Sequence, residues 1–261
     1  AAGRRTQSAA MIQVAVYSPS AEFAPQARAL ATELNLPLMT EPGAGQWGAC
    51  LMPTAAGLQV QPGGSEASGP IQVDFGSGGM RHRRRGGQNE LLGRAVGVGK
   101  RADLSVVDAT AGLGRDSFVL ADLGCKVLMI ERSPWVHALL RDGLQRAVAS
   151  GDPWLEQVCS RLRLVRGDSA QCLRRSQADV VYLDPMFPER KKSARAKKEM
   201  WLFQGLLGDD ADAEAVLELA LEQASYRVVV KRPLRAPVLG QRSPGFCLSG
   251  RSVRFDVYTC A

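Results

Sequence analysis

An α/β fold is the class this sequence predicts: a mostly parallel sheet closed by a C-terminal antiparallel hairpin, preceded by a small N-terminal α/β unit. Three observations predict it. From residue 103 onward, short and nearly continuous apolar runs alternate with helix-like segments, the pattern of a parallel sheet covered on both faces. The C-terminal end instead carries three strand-like runs in succession, the last two joined by a turn so short that only antiparallel pairing fits. With 45% apolar and 23% charged residues in 261, the composition supports a sizeable core.

Taken in order, residues 1–10 ("AAGRRTQSAA") are read as an expression remnant or a translated upstream stretch without structure, with Met11 as the candidate start. The N-terminal unit, 11–75, begins with a strand at 14–18 and an amphipathic helix at 21–34 that carries Pro25 in its first turn. Three short strands follow in "WGACLMP", "GLQVQ" and "IQVDF", set apart by Gly and Pro. A junction at 76–100 holds the Gly/Arg-rich loop "GSGGMRHRRRGGQNE" and a helix at about 88–98. The main domain, 101–261, then reads "LSVVDA" and a helix from about Asp116, "KVLMIE" and a helix at 134–149, "LRLVRGD" and a short helix, "VVYLD" and a helix around 196–207. "YRVVVKRP", "GFCLSG" and "SVRFDVYTC" complete the sheet. This architecture is the one expected of a class I methyltransferase (Rossmann-like); the dinucleotide-binding fold lacks the reversed last strand.

A formal charge of +7 favours an anionic partner. No run reaches the roughly 18–20 apolar residues of a membrane span, and no secretory signal is recognisable, so a soluble cytoplasmic protein is expected. Six cysteines form no C-x-x-C pair and only His82 and His137 are present, which argues against zinc or any other metal site. Neither internal repeats nor long low-complexity tracts occur.

"VVDATAGLGRDSF" is strand, Gly-rich turn and helix start. Gly112 and Gly114 let a ligand approach the backbone at the carboxyl end of the first strand. A dinucleotide fingerprint would need a third glycine where Ser117 stands. Asp108 and Asp116 flank the loop, suiting a ligand with an ammonium and a sulfonium, such as S-adenosyl-L-methionine, better than a diphosphate. The plainer alternatives are a turn role for Asp108 and a favourable first-turn charge for Asp116. Glu131, 17 residues beyond Gly114, ends the second strand where an acid can accept ribose hydroxyls. Asp168 and Ser169, at the end of the third, stand where an adenine edge is expected.

Asp184-Pro185-Met186-Phe187 ends the fourth strand at the switch point of the sheet. It is similar to the Asp/Asn-Pro-Pro-Phe/Tyr motif of methyltransferases acting on exocyclic base amines. The Asp184 carboxylate and Pro185 carbonyl can accept the two amino hydrogens, Phe187 can stack on the base, and the prolines stiffen the turn. Such chemistry rests on positioning and electrostatics. Met186 departs from the commoner second proline. A capped tight turn with a core Phe is the structural alternative.

Six basic residues follow: Arg190, Lys191, Lys192, Arg195, Lys197 and Lys198. With Arg81, Arg83, Arg84 and Arg85 of the glycine-bracketed loop, and Lys231 and Arg232 at the end of the fifth strand, they are the candidate nucleic-acid contacts. Solvated helix faces and a capped sheet edge are the competing readings.

"VVDATAGLGRDSFVLA", "ER" at 131–132, "VVYLDPMFP" with "KKSARAKKEM", "RVVVKRP" and "VDFGSGGMRHRR" together resemble the bacterial ribosomal RNA small-subunit methyltransferase J family. The resemblance covers about 70–258 and is weaker in the N-terminal unit. It implies methyl transfer from S-adenosyl-L-methionine to N2 of a guanosine in 16S rRNA, with S-adenosyl-L-homocysteine as product and 16S rRNA or the small ribosomal subunit as partner. It also implies cofactor contacts at Arg115, Asp116, Glu131, Arg132, Asp168, Ser169 and Asp184; Arg115 and Arg132 come from the resemblance alone. Alternatives are an adenine-N6 or cytosine-N4 methyltransferase on DNA or RNA, a non-catalytic RNA-binding assembly factor and, disfavoured by Ser117 and the hairpin, an NAD-dependent oxidoreductase.

Overall fold

The structure is a computed structural model that describes residues 13–40, 47–63, 69–85, 87–186 and 212–260, with backbone alone for 83–85 and 87–90. The described residues divide into two compact units with the break after Ile71. In the first, β1 (Val14–Tyr17), β2 (Leu38–Met39), β3 (Ala49–Thr54) and β4 (Gly57–Pro62) form a sheet in the order β2-β1-β3-β4. Ala27, Leu30, Ala31 and Leu34 form the buried stripe of α1 (Ala24–Leu34), at the spacing of one helix face. A 3-10 turn, Ala21–Phe23, precedes it, and Pro25 sits in its first turn where no amide partner is needed.

The second unit is built on a seven-stranded sheet in the order β10-β11-β9-β8-β5-β6-β7. Its strands are β5 (Ser105–Asp108), β6 (Lys126–Glu131), β7 (Leu162–Arg166), β8 (Ala178–Leu183), β9 (Ala224–Pro233), β10 (Phe246–Ser249) and β11 (Val253–Thr259). Strands β5 to β9 pair in parallel, whereas β11 runs antiparallel to both β9 and β10. The order reverses between β5 and β8, which opens a crevice at their carboxyl ends.

Alternation along the central strands sorts side chains between two layers. Val107, Val181, Leu183, Val228 and Val230 pack with Leu173 of α7 (Ser169–Leu173) and with Val216, Leu217 and Ala220 of α8 (Ala213–Gln223). The intervening positions face the other layer. There the Tyr182 hydroxyl reaches α4 (Arg115–Asp122), and Arg227 donates to the carbonyls of Arg94 and Ala95, capping the C-terminus of α3 (Gly87–Val96). This layer also holds α5 (Pro134–Ala149) and α6 (Pro153–Cys159).

Two expectations change. Residues 71–75 are not a strand: Ile71 bridges Val60, but Val73 and Phe75 are buried as irregular chain, the Phe75 ring stacked 4.6 Å from Phe118. The Arg run, expected as a loop, lies in α2 (Gly78–Arg85). Ser77 accepts from the Met80 amide at 3.4 Å as a cap, and Arg81 ties the helix down by pairing with Asp152 at 2.5 Å and lying 5.1 Å over the Trp154 ring. The helix expected at 196–207 lies outside the described residues.

Candidate active site

The site is assembled from the carboxyl ends of β5, β6, β8 and β9 and the start of α7. Its frame is the turn after β5. Gly112 and Gly114 have φ of +53° and +71°, conformations that favour glycine. A Cβ on Gly114 would stand 2.6 Å from the Leu140 side chain, whereas one on Gly112 would meet only the Thr110 carbonyl at 3.9 Å. Gly114 is thus demanded by packing, and Gly112 presents an open backbone face.

Neighbouring strand ends hold this turn. Glu131 accepts from the Gly112 amide at 2.9 Å and from the Ser133 amide at 2.7 Å. Thr110 Oγ1 accepts from the Asp184 amide at 2.6 Å, and Ser169 donates to the Ala109 carbonyl at 2.5 Å. Asp168 caps α7 by accepting from the Gln171 amide at 3.0 Å. The loops expected to hold a cofactor are therefore tied together in advance, the arrangement that lowers the entropy lost on binding.

Within this frame lies a cluster of charge. Asp108 is buried, accepts from the Ser117 hydroxyl at 2.5 Å and from the Thr110 amide at 3.1 Å. Burial pushes its carboxyl up to about 7; the two hydrogen bonds oppose that shift and the nearby Asp116 and Asp184 add to it. Asp116 Oδ2 accepts from the Tyr182 hydroxyl and from the Lys231 ammonium, each at 2.7 Å. The same ammonium donates to Asp184 Oδ2 at 2.7 Å. Burial alone would lower the Lys231 pKa, but Asp184 and Asp116 outweigh it and hold the ammonium above its ordinary value. Burial, with Asp116 and Asp184 adding to it, raises the Tyr182 phenol.

Lys231 and Arg232, expected at substrate phosphates, thus serve elsewhere. Lys231 bridges two carboxylates, and the buried Arg232 guanidinium donates twice to the Pro237 carbonyl, at 3.0 and 3.1 Å. Arg115 is exposed at the start of α4, and Arg132 pairs with Asp212 at 3.4 Å. Pro185 is buried directly after Asp184. Phe187, Arg190, Lys191, Lys192, Lys197 and Lys198 lie outside the described residues, as do the side chains of Arg83, Arg84 and Arg85. Sequence reasoning missed Thr110, Ser117, Tyr182 and the bridging role of Lys231. A tyrosine inside the apolar run 180–183, two residues before Asp184, was the available signal for Tyr182.

The donor set suits a cationic, ribose-bearing ligand. Carboxylates converge where a diphosphate site would need amides and cations, and a carboxylate oxygen, having two lone pairs, is able to accept from an amide and a hydroxyl together. Behind Glu131 the buried Ser133 hydroxyl has no hydrogen-bond partner among the described residues. Asp108, Gly112, Asp116, Glu131, Asp168 and Asp184 are the residues able to surround such a group.

Comparison with known proteins agrees with this geometry. A family model for SAM-dependent methyltransferases matches residues 30–260. A protein of Pseudomonas paraeruginosa named ribosomal RNA small subunit methyltransferase J is 48% identical, covering 93% of each chain. The protein of the same name from Cellvibrio japonicus is 48% identical over 92% of this chain and 95% of its own. The crystal structure of a SAM-dependent methyltransferase from Neisseria gonorrhoeae superposes with a TM-score of 0.72 at 32% identity, covering 95% of this chain and 96% of the other.

Proposed function

This chain belongs to the ribosomal RNA small subunit methyltransferase J family of SAM-dependent methyltransferases, and from that premise we propose that it methylates the exocyclic N2 of a guanosine in 16S rRNA. The observation that carries the reading is the Asp184-Pro185 turn, which hangs by its amide from Thr110 of the glycine turn at the switch point of the sheet.

Asp184 and the Pro185 carbonyl accept the two N2 hydrogens, and Phe187 supplies the stacking surface. An aromatic amine has its lone pair delocalised into the ring; holding both hydrogens lets N2 pyramidalise and aim that pair away from the ring. S-adenosyl-L-methionine, when bound, supplies an electrophilic methyl on its sulfonium. Asp108, Arg115, Asp116, Glu131, Arg132, Asp168 and Ser169 are assigned to holding it, with Glu131 on the ribose. The Asp184 carboxylate stabilises positive charge as it develops on N2, the kind of preorganised electrostatic contribution that dominates many enzymes.

Basic residues outside the catalytic turn, Arg83, Arg84, Arg85 and the 190–198 run, are assigned to rRNA phosphates, while Arg81 is held by Asp152 and Trp154. Phosphate contacts add affinity without reading sequence. A ribosomal substrate puts the reaction in the bacterial cytoplasm. Among the described residues, no helix is long and apolar enough to cross a membrane.

Calorimetric titration with S-adenosyl-L-methionine, followed by transfer of its labelled methyl to 16S rRNA and to small subunits lacking the modification, tests the proposal. Binding and transfer to either substrate are expected. Binding without transfer would redirect the search to another nucleic acid, and absence of binding would favour a non-catalytic assembly factor.

A further inference from the structure

Three carboxylates meet at the carboxyl edge of the sheet. Asp108 ends β5, Asp116 opens α4 and Asp184 follows β8; Asp108 is raised by both of the others as well as by burial. Like charges so placed cannot all ionise freely near neutrality. Facing Asp184 are Asp108 from β5, Asp116 from α4, the Tyr182 hydroxyl from β8, and Lys231 with the more distant Arg232 from β9. Arg232 is committed to the Pro237 carbonyl, and Tyr182 donates to Asp116. Lys231 is in direct contact with Asp184, its side chain 22% exposed against 39% for Asp184.

We propose that Lys231 is a positioning residue that keeps Asp184 ionised, and so able to accept the amino hydrogens of the target base, within this carboxylate cluster. The inference rests on the amine-methylation reading above. A protonated Asp184 would present a donor where the amine needs an acceptor. Lys231 prevents this by holding Oδ2 of Asp184 while it neutralises Asp116 through Oδ2 of that residue, each at 2.7 Å. Both bonds use one ammonium, so the charge and the orientation of Asp184 are set together. A phosphate contact is a different role, for which the ammonium that bridges Asp116 and Asp184 would have its third N–H left.

The two roles separate by pH. In the transfer assay, kcat/KM is measured from pH 5 to 9 for the wild type, Lys231→Met and Lys231→Arg, with thermal unfolding to verify folding. Loss of an adjacent opposite charge moves a carboxyl by about 1–3 pH units. The acid limb of Lys231→Met is therefore expected to rise by about that much, so that the ratio of variant to wild-type activity falls several-fold towards the acid end of the range and recovers towards pH 9. Lys231→Arg, which keeps the charge, should retain the wild-type acid limb. Should Lys231→Met fail to fold, Lys231→Gln takes its place. A variant-to-wild-type ratio that is the same at every pH would overturn the proposal. So would a rise in KM for RNA, steeper at high salt, with the pH profile unmoved. Failure of the wild type itself to transfer methyl would count against the functional reading instead, so the two failures are distinguishable.

Discussion

At Asp108, burial raises the carboxyl to about 7 from an ordinary 3.8, and Asp116 and Asp184 add to the shift. The folded state therefore holds a proton between those values that the unfolded chain releases. By linkage, this group's contribution is fully present below about pH 4 and is lost as pH rises through about 7. Asp108→Asn, which keeps a polar partner for Ser117, should gain stability relative to wild type between pH 5 and 8 in urea unfolding; parallel curves would show that Asp108 does not titrate in that window. Gly114→Ala forces a methyl within 2.6 Å of Leu140 at a φ of +71°. It should destabilise by about 1–3 kcal/mol, readable as a lower urea midpoint. Asp184→Ala should reduce kcat at least about 100-fold with the fold intact by circular dichroism, the scale on which one preorganised electrostatic group acts. Much of the site was legible at this scale because glycine, proline and acidic residues at strand ends carry local meaning. Tyr182 and Lys231 were not, because their partner Asp116 is 66 and 115 residues away in sequence and only strand alternation brings the three together.

Elements show the same division between local and long-range information. The strands β5, β6, β8, β9 and the terminal hairpin were legible as apolar runs, and α5 from Pro134 at its first position. Strand β2 has two residues, too few to carry a pattern. The pattern reading assigned no element to α6 or α8, although Asp152 before Pro153 is a capping signal and "AEAVLELALEQ" has helical composition. Residues 71–75 alternate like a strand, yet their apolar side chains are buried without a ladder beyond the Ile71 bridge. At the other edge, the segment after β9 is held by side chains that sequence spacing could not pair. Arg254 donates to the Leu234 and Ala236 carbonyls at 3.0 and 2.6 Å and pairs with the fully buried Asp256 at 2.7 Å. Arg254→Ala would leave Asp256 as an unpaired buried charge and should destabilise by about 3–5 kcal/mol in equilibrium unfolding; a change within experimental error would show that Cys247, 3.1 Å from Asp256, or solvent compensates for it.

For the molecule as a whole, a formal charge of +7 fits an enzyme whose substrate is a polyanion. Replacing Lys191, Lys192, Lys197 and Lys198 together by Gln should weaken RNA binding. The slope of log K against log salt should flatten by about 0.7 for each lysine that contacts a single-stranded phosphate. An unaltered slope would return that run to the role of a solvated face. The family and the reaction class were legible because long ordered motifs span most of the chain; choice of base came from the family resemblance alone, because Asp184 and Pro185 would accept hydrogens from any exocyclic amine. Nucleoside analysis of methylated RNA by mass spectrometry therefore tests the central claim most directly. After incubation of unmodified small subunits or 16S rRNA with enzyme and S-adenosyl-L-methionine, N2-methylguanosine should appear with the wild type and not with Asp184→Ala. N6-methyladenosine or N4-methylcytidine in its place would contradict the assignment of guanine, and a ring-nitrogen or carbon methylation would contradict the role given to the Asp184 turn.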